Sequence, residues 1–204
     1  MADLPITLQP EAWRCLVVGG GPVATRRARW LAQGGAHVVV VAPDVADELA
    51  SLAHELHRRA YRSDDLAGVR LVVAATDDPA VNDAVTRDAA QRGILCNRPD
   101  APEKGDFTVP ALGRAGPVSV AVATGAASPA AAGAIRDELL ARLDPAWPRL
   151  LEIARPYRQA LLARGGRDDR LRRLTDATAM DILKARGEQA LRDHLDSVTR
   201  EPDG

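Results

Sequence analysis

Apolar residues fall in short unbroken runs through the first half of the chain and in sparser, charge-interrupted patterns through the second. The run "CLVVGGG" (15–21) predicts a buried strand that opens into glycines, and "HVVVVA" (37–42) and "VRLVVAAT" (69–76) predict two more. None alternates with polar residues, so each strand is expected to be covered on both faces. Between them, Pro22 to Gln33 reads as a helix with Val23, Ala24, Ala28 and Leu31 toward one side. Ala46 to about Arg58 and Pro79 to Gln91 read as two further helices, and "GILCN" (93–97) as a short strand. Strands alternating with helices, with continuous apolar strands, predict an α/β fold: a Rossmann-like parallel sheet with helices on both faces.

After residue 105 the pattern changes. "DFTVPAL" (106–112) and "GPVSVAVAT" (116–124) are strand-like with no long helix between them, which predicts an antiparallel unit. Ser128-Pro129 opens a helix to about Leu143, serine as N-cap and proline in the first helical position. From Pro145 onward the chain reads as helical and charged, with a break at "RGGRDD" (164–169) and a frayed polar tail at 200–204. Three pieces are expected: a Rossmann-like domain (1–112), a small α+β segment (113–145) and a helical carboxyl-terminal portion (146–204).

Composition narrows the function classes. The chain has 204 residues, 46% of them hydrophobic, and a net charge of −1, so nothing in its overall charge favours nucleic acid or an anionic membrane. Almost all the positive charge is arginine, which suits carboxylate recognition; lysine occurs only at 104 and 184. Cys15 and Cys96 each border an apolar run without a CxxC pattern and are expected to be buried in a reducing compartment. No stretch approaches the roughly 20 apolar residues of a membrane span, and the first residues lack a signal-peptide pattern, so a cytoplasmic location is expected.

The chemistry begins at the glycines. Gly19, Gly21 and Ala24 fit G-x-G-x-x-A directly after a strand and at the start of a helix. In that context the first glycine permits a tight turn and the second a close backbone approach to a pyrophosphate. The small third residue lets helix and strand pack. The acid that would bind a ribose at the end of the second strand is not in its usual place, but Asp44 follows two residues on and would repel a 2′-phosphate, so NAD is favoured over NADP. A Tyr-x-x-x-Lys pair and an HExxH pattern are both missing; His54 and His57 ("HELH") are expected on a solvated helix face, and no metal site is expected. A carboxylate is then the expected acid–base group. Asp100 stands out in "NRPDAPEKGDFTVPA" (97–111), in a loop stiffened by Pro99 and Pro102.

Six segments together resemble the precorrin-2 dehydrogenases and the amino-terminal half of siroheme synthase. They are "LPI" (4–6), "CLVVGGGPVATRRARWL" (15–31), "AATDDPAVN" (74–82), "CNRPDAP" (96–102), "DFTVPA" (106–111) and "SPAAAGAIRDEL" (128–139), in that family's order over about the first 145 residues. The resemblance implies NAD-dependent oxidation of precorrin-2 to sirohydrochlorin by a homodimer whose middle segment interlocks the subunits. Some members also insert ferrous or cobaltous ion, so a chelatase activity is left open. It implies that Asp100 is catalytic, and that Pro22, Val23, Pro43 and Asp44 contact the dinucleotide, with Thr76 and Asp77 at the crevice. Thr124 is placed beside the tetrapyrrole pocket, with Ser128 a secondary contact. Arg98, Lys104 and Arg114 are candidates to pair with substrate carboxylates. Arg98-Pro99 stand where the family often has two apolar residues. The alternative from another class is a non-catalytic NAD(H)-sensing module.

Overall fold

The computed structural model describes residues 4–125, 127–165 and 168–200, which leaves Ala126 and most of the tail outside the description. The chain divides into two compact units, one up to Val109 and the other from Pro110 onward.

The first unit is built on a five-stranded sheet with every pairing parallel. Its strands are β1 (Arg14–Val18), β2 (His37–Val41), β3 (Glu55–His57), β4 (Leu71–Ala74) and β5 (Leu95–Asn97), in the order β3-β2-β1-β4-β5. Each unbroken apolar run feeds two cores because successive side chains point to opposite faces. Leu16, Val18, Val39, Val41, Val72 and Ala74 pack on one face against Val85 and Ala89 of helix α3 (Pro79–Gln91). Cys15, Val17, Val38, Val40, Leu71 and Val73 pack on the other against Ala24, Ala28 and Leu31 of helix α1 (Pro22–Gln33) and Leu49 of helix α2 (Asp47–Leu52). Both cysteines are buried and free, and burial pushes the Cys15 thiol up to about 11.

Two sequence expectations are corrected in this unit. The helix expected to reach Arg58 stops at Leu52, and "HELH" forms the edge strand β3 rather than a solvated helix face. Backbone pairing with β2 decides this: the His54 N–H donates to Val38 O (2.8 Å) and the Ala42 N–H to His57 O (3.2 Å). Glu55 accepts from both Arg14 and His37, which ties β3 across its neighbours. The second correction concerns "DFTVPAL". Residues 106–110 form no strand and run as a loop along β5, held by the Asp106 N–H to Cys96 O (2.8 Å) and by the Cys96 N–H to Asp106 Oδ2 (2.8 Å). The segment covers an edge that would otherwise be an open strand.

In the second unit, β6 (Ala111–Ala115) and β7 (Val118–Val122) form an antiparallel hairpin turned at Gly116, whose φ of 53° lies in the left-handed region. Helix α4 (Pro129–Ala141) packs on this hairpin. Helices α5 (Ala146–Ala163), α6 (Asp168–Arg173) and α7 (Ala177–Arg200) form a separate core around Leu150, Ile153, Leu161, Leu191 and Leu195. Gly187, at φ 82°, breaks α7.

Candidate active site

In a parallel sheet of this order the chain reverses its winding between β1 and β4, and ligands bind at the carboxyl ends of those strands. The glycine loop lies there. Gly19 has φ 125°, and a Cβ on it would stand 2.2 Å from Ala75 O, at the end of β4. A Cβ on Gly20 would stand 1.7 Å from Asp44 O, at the end of β2. These two glycines let three chain segments cross without a gap. Gly21 is different: it is the N-cap of α1, extended at φ −89°, with nothing within 4 Å of an added Cβ and no side chain capping the helix. Its open side is the space a pyrophosphate needs, over a helix terminus whose backbone N–H groups favour an anion. Pro22 removes one donor at the first position, and Val23 and Ala24 follow in the first turn. The residues present therefore fit a dinucleotide. Pro43 and Asp44 lie exposed beside the loop, anchored by the Ala46 N–H to Gly20 O (3.2 Å). An open depression of about 290 Å³, lined by Pro22, Thr25, Arg26, Arg29, Ala46 and Glu48, flanks the same helix start.

From β4 a chain of hydrogen bonds leads to Asp100. Both the Thr76 N–H (3.1 Å) and the Thr76 hydroxyl (2.8 Å) donate to Asn82 Oδ1. Asn82 Nδ2 donates to Thr76 O (3.0 Å) and to Asp100 Oδ2 (3.1 Å). Arg98 closes a two-pronged fork on the same carboxylate, Nε to Oδ1 at 2.9 Å and a terminal nitrogen to Oδ2 at 2.9 Å. Its other terminal nitrogen donates to Asp83 Oδ1 (2.8 Å) and Thr86 Oγ1 (3.2 Å), and Lys104 Nζ bonds Asp83 from outside (3.1 Å). The Arg98 fork, followed by the Asn82 donor, holds the Asp100 carboxyl down at about 2 against the pull of partial burial. With 37% of its side chain exposed, Asp100 still opens to a ligand.

The other sequence candidates divide clearly. Asp77 is exposed at the end of β4, and Asp78 beside it caps α3 through its Oδ1 and the Ala80 N–H (2.8 Å). Arg98, a candidate partner for substrate carboxylates, has a side chain only 1% exposed, with its donors directed inward to Asp83, Thr86 and Asp100. Arg114, Thr124 and Ser128 belong to the second unit. Arg114 is exposed on β6. Thr124 Oγ1 accepts from the Ser128 N–H (3.3 Å), while Ser128 Oγ accepts from the Ala131 N–H (3.1 Å) and so caps α4. Asn82 is the residue that sequence reasoning missed. The signal was available: it falls in line with Val85 and Ala89 on the buried stripe of α3, where an amide needs a polar partner.

Similarity to known proteins agrees with this geometry. A siroheme synthase from Chromobacterium violaceum is 44% identical over 168 residues, which is 80% of this chain and 36% of that protein. One from Nitrosomonas eutropha is 33% identical over 204 residues, 96% of this chain and 43% of that protein. The chain thus spans less than half the length of these relatives. Among solved structures, "SirC, precorrin-2 dehydrogenase" superposes with a TM-score of 0.77 at 25% identity, over 98% of this chain and 100% of that one. Residues 6–111, which carry the glycine loop, the switch point and the Asp100 fork, match the family described as "Putative NAD(P)-binding". The chain belongs to this NAD(P)-binding family.

Proposed function

We propose that this protein oxidises precorrin-2 to sirohydrochlorin with NAD as the acceptor, in the cytoplasm and as a homodimer. The observation that carries the reading is an outward-opening carboxylate, Asp100, tied through Asn82 and Thr76 to the carboxyl end of β4, beside a glycine loop suited to a dinucleotide. Similarity to a precorrin-2 dehydrogenase along its whole length supports the substrate.

NAD supplies a two-electron acceptor for hydride when bound. Gly21 and the first turn of α1 would receive its pyrophosphate, and Asp44 its adenosine ribose, where a carboxylate suits a hydroxyl better than a phosphate. Asp100 is the catalytic carboxylate, facing the reacting part of the tetrapyrrole. Lys104, Arg114 and Thr124 lie in segments that would meet the polycarboxylate substrate. The homodimer is supported by α4, which buries only Ala132 and exposes Ile135 (43%) and Leu139 (48%) on one side. A two-stranded hairpin with one helix has little apolar surface of its own to bury.

The test is anaerobic incubation with precorrin-2 and NAD, following NADH and the tetrapyrrole spectrum, with Asp100→Ala alongside. Wild type should form NADH and the variant should fall by at least a hundredfold. Ferrous or cobaltous ion added afterwards reads metal insertion against a protein-free control. Wild type that binds NAD yet forms no NADH would favour the NAD(H)-sensing reading.

A further inference from the structure

We propose that Arg98 is a positioning residue that keeps Asp100 ionised and oriented, so that Asp100 accepts a substrate N–H hydrogen bond as a fixed anion while the reaction's proton passes to water. The inference rests on the dehydrogenase reading above and concerns how its carboxylate works.

The geometry carries it. Among the described residues Arg98 is the largest side chain buried to this degree, and a guanidinium is admitted there only with its donors engaged. Pro99 restricts Arg98 to extended backbone, and the two residues flanking it, Arg98 and Asp100, close the fork. Helix α3 then grips both members with consecutive residues, Asn82 on Asp100 and Asp83 on Arg98. Rotation of either side chain would break bonds at both ends.

The charges around Asp100 come from three elements. The loop after β5 provides Arg98, α3 provides Asp83, and the turn Pro102–Lys104 provides Lys104. Asp83 is the anion that would make Asp100 easier to protonate, and it is itself held by Arg98 and Lys104. Asp106 and the Cys96 thiol on β5 lie beyond this set, and Cys96 feels the Asp100 charge. Every bonded neighbour of Asp100 is thus a donor. A carboxylate so held is a poor place to store a proton at neutral pH, because the fork favours its charged form. It remains a good acceptor for the N–H of a pyrrole ring, which orients the ring and stabilises the positive charge that grows there.

The electron count closes without a proton on Asp100. One C–H bond of precorrin-2 breaks and both its electrons leave with the hydrogen to the nicotinamide, which is reduced. The oxidised macrocycle carries the resulting positive charge and loses one proton to water, giving sirohydrochlorin, NADH and H⁺.

The test combines two measurements on wild type, Arg98→Met, Arg98→Gln and Arg98→Lys. The first is a ¹³C titration of the Asp100 carboxyl in the NAD-free protein from pH 3 to 8. The wild-type signal should stay flat, Arg98→Met and Arg98→Gln should bring a midpoint up by about two pH units into the ordinary range near 4, and Arg98→Lys should stay nearly flat. The second is kcat and KM for NADH formation from pH 5 to 9. The neutral variants should lose at least tenfold in kcat throughout this range, because the ionised carboxylate is no longer oriented, with partial rescue in Arg98→Lys. A kcat at pH 8 equal to or above wild type in Arg98→Met or Arg98→Gln is what a freed, more basic proton acceptor would give, and it would overturn the proposal. So would a wild-type Asp100 that titrates between pH 4 and 8. If the wild-type carboxyl stays flat but no NADH forms, the dehydrogenase reading fails while the Arg98 clamp on Asp100 stands.

Discussion

Neighbouring residues of one loop answer to different demands. Gly20 is required by packing and Gly21 by access, and the two separate experimentally. Gly20→Ala drives a Cβ into Asp44 O and should destabilise the fold by about 1–3 kcal/mol in urea titration, as overpacking does. Gly21→Ala meets no neighbour and should keep the wild-type melting temperature while weakening NAD binding at least tenfold by calorimetry. Asn82→Leu removes the link between Thr76 and Asp100 and leaves buried partners unsatisfied. A loss of about 1–3 kcal/mol of stability and a reduced kcat should follow, with KM for NAD little changed. At this scale sequence reading found Gly19, Gly21 and Ser128, because a turn or a cap is specified by residues within a few positions of each other. It could not see that Arg98 is buried, since its partners Asp83 and Thr86 sit 15 and 12 positions away on α3.

Among the elements, β3 shows how tertiary pairing overrides local pattern. The stretch "HELH" has little strand character, yet it closes the sheet edge through backbone bonds to β2 and through Glu55 on Arg14 and His37. Arg14 first, then His37, pulls the Glu55 carboxyl down to about 2. A carboxyl depressed in the folded state contributes stability above its unfolded value near 4.5, and that contribution fades as pH falls toward 2. Glu55 is more than one-third exposed, so solvent screening limits the effect. Glu55→Gln should lower stability at pH 7 by about 0.5–1 kcal/mol, with the difference from wild type shrinking below about pH 4.5 and gone only below about pH 2. The parallel strands β1, β2 and β4 were legible because burial on both faces demands unbroken apolar runs. The loop at 106–110 was not, because its apolar residues cover an edge and pair with no strand.

Viewed whole, the protein couples a cofactor-binding unit to a unit with an apolar helix side to cover. Ile135 and Leu139 lie four residues apart on α4, on one side of the helix. Leu139→Glu places charge on an already exposed position, so it should leave each chain folded by circular dichroism. Under the proposed homodimer with α4 at its interface, the same variant should halve the mass seen by light scattering; a dimer surviving it would exclude this side of the helix. NAD at a hundred times its Kd should raise stability by about 2.7 kcal/mol, an increment that a tenfold weaker Gly21→Ala should cut to about 1.4 kcal/mol at the same NAD concentration.

The sequence by itself determined the parallel sheet, the glycine loop and the capped start of α4, because each is set by residue types acting over a few positions or one strand's two faces. Only the tertiary structure decided which polar groups meet. It carried Asn82 and Asp83 on α3 to the loop after β5, turned Arg98 inward, and left Asp100 as a clamped anion. Such contacts join elements far apart in the chain, and their energetics depend on burial that no local pattern records.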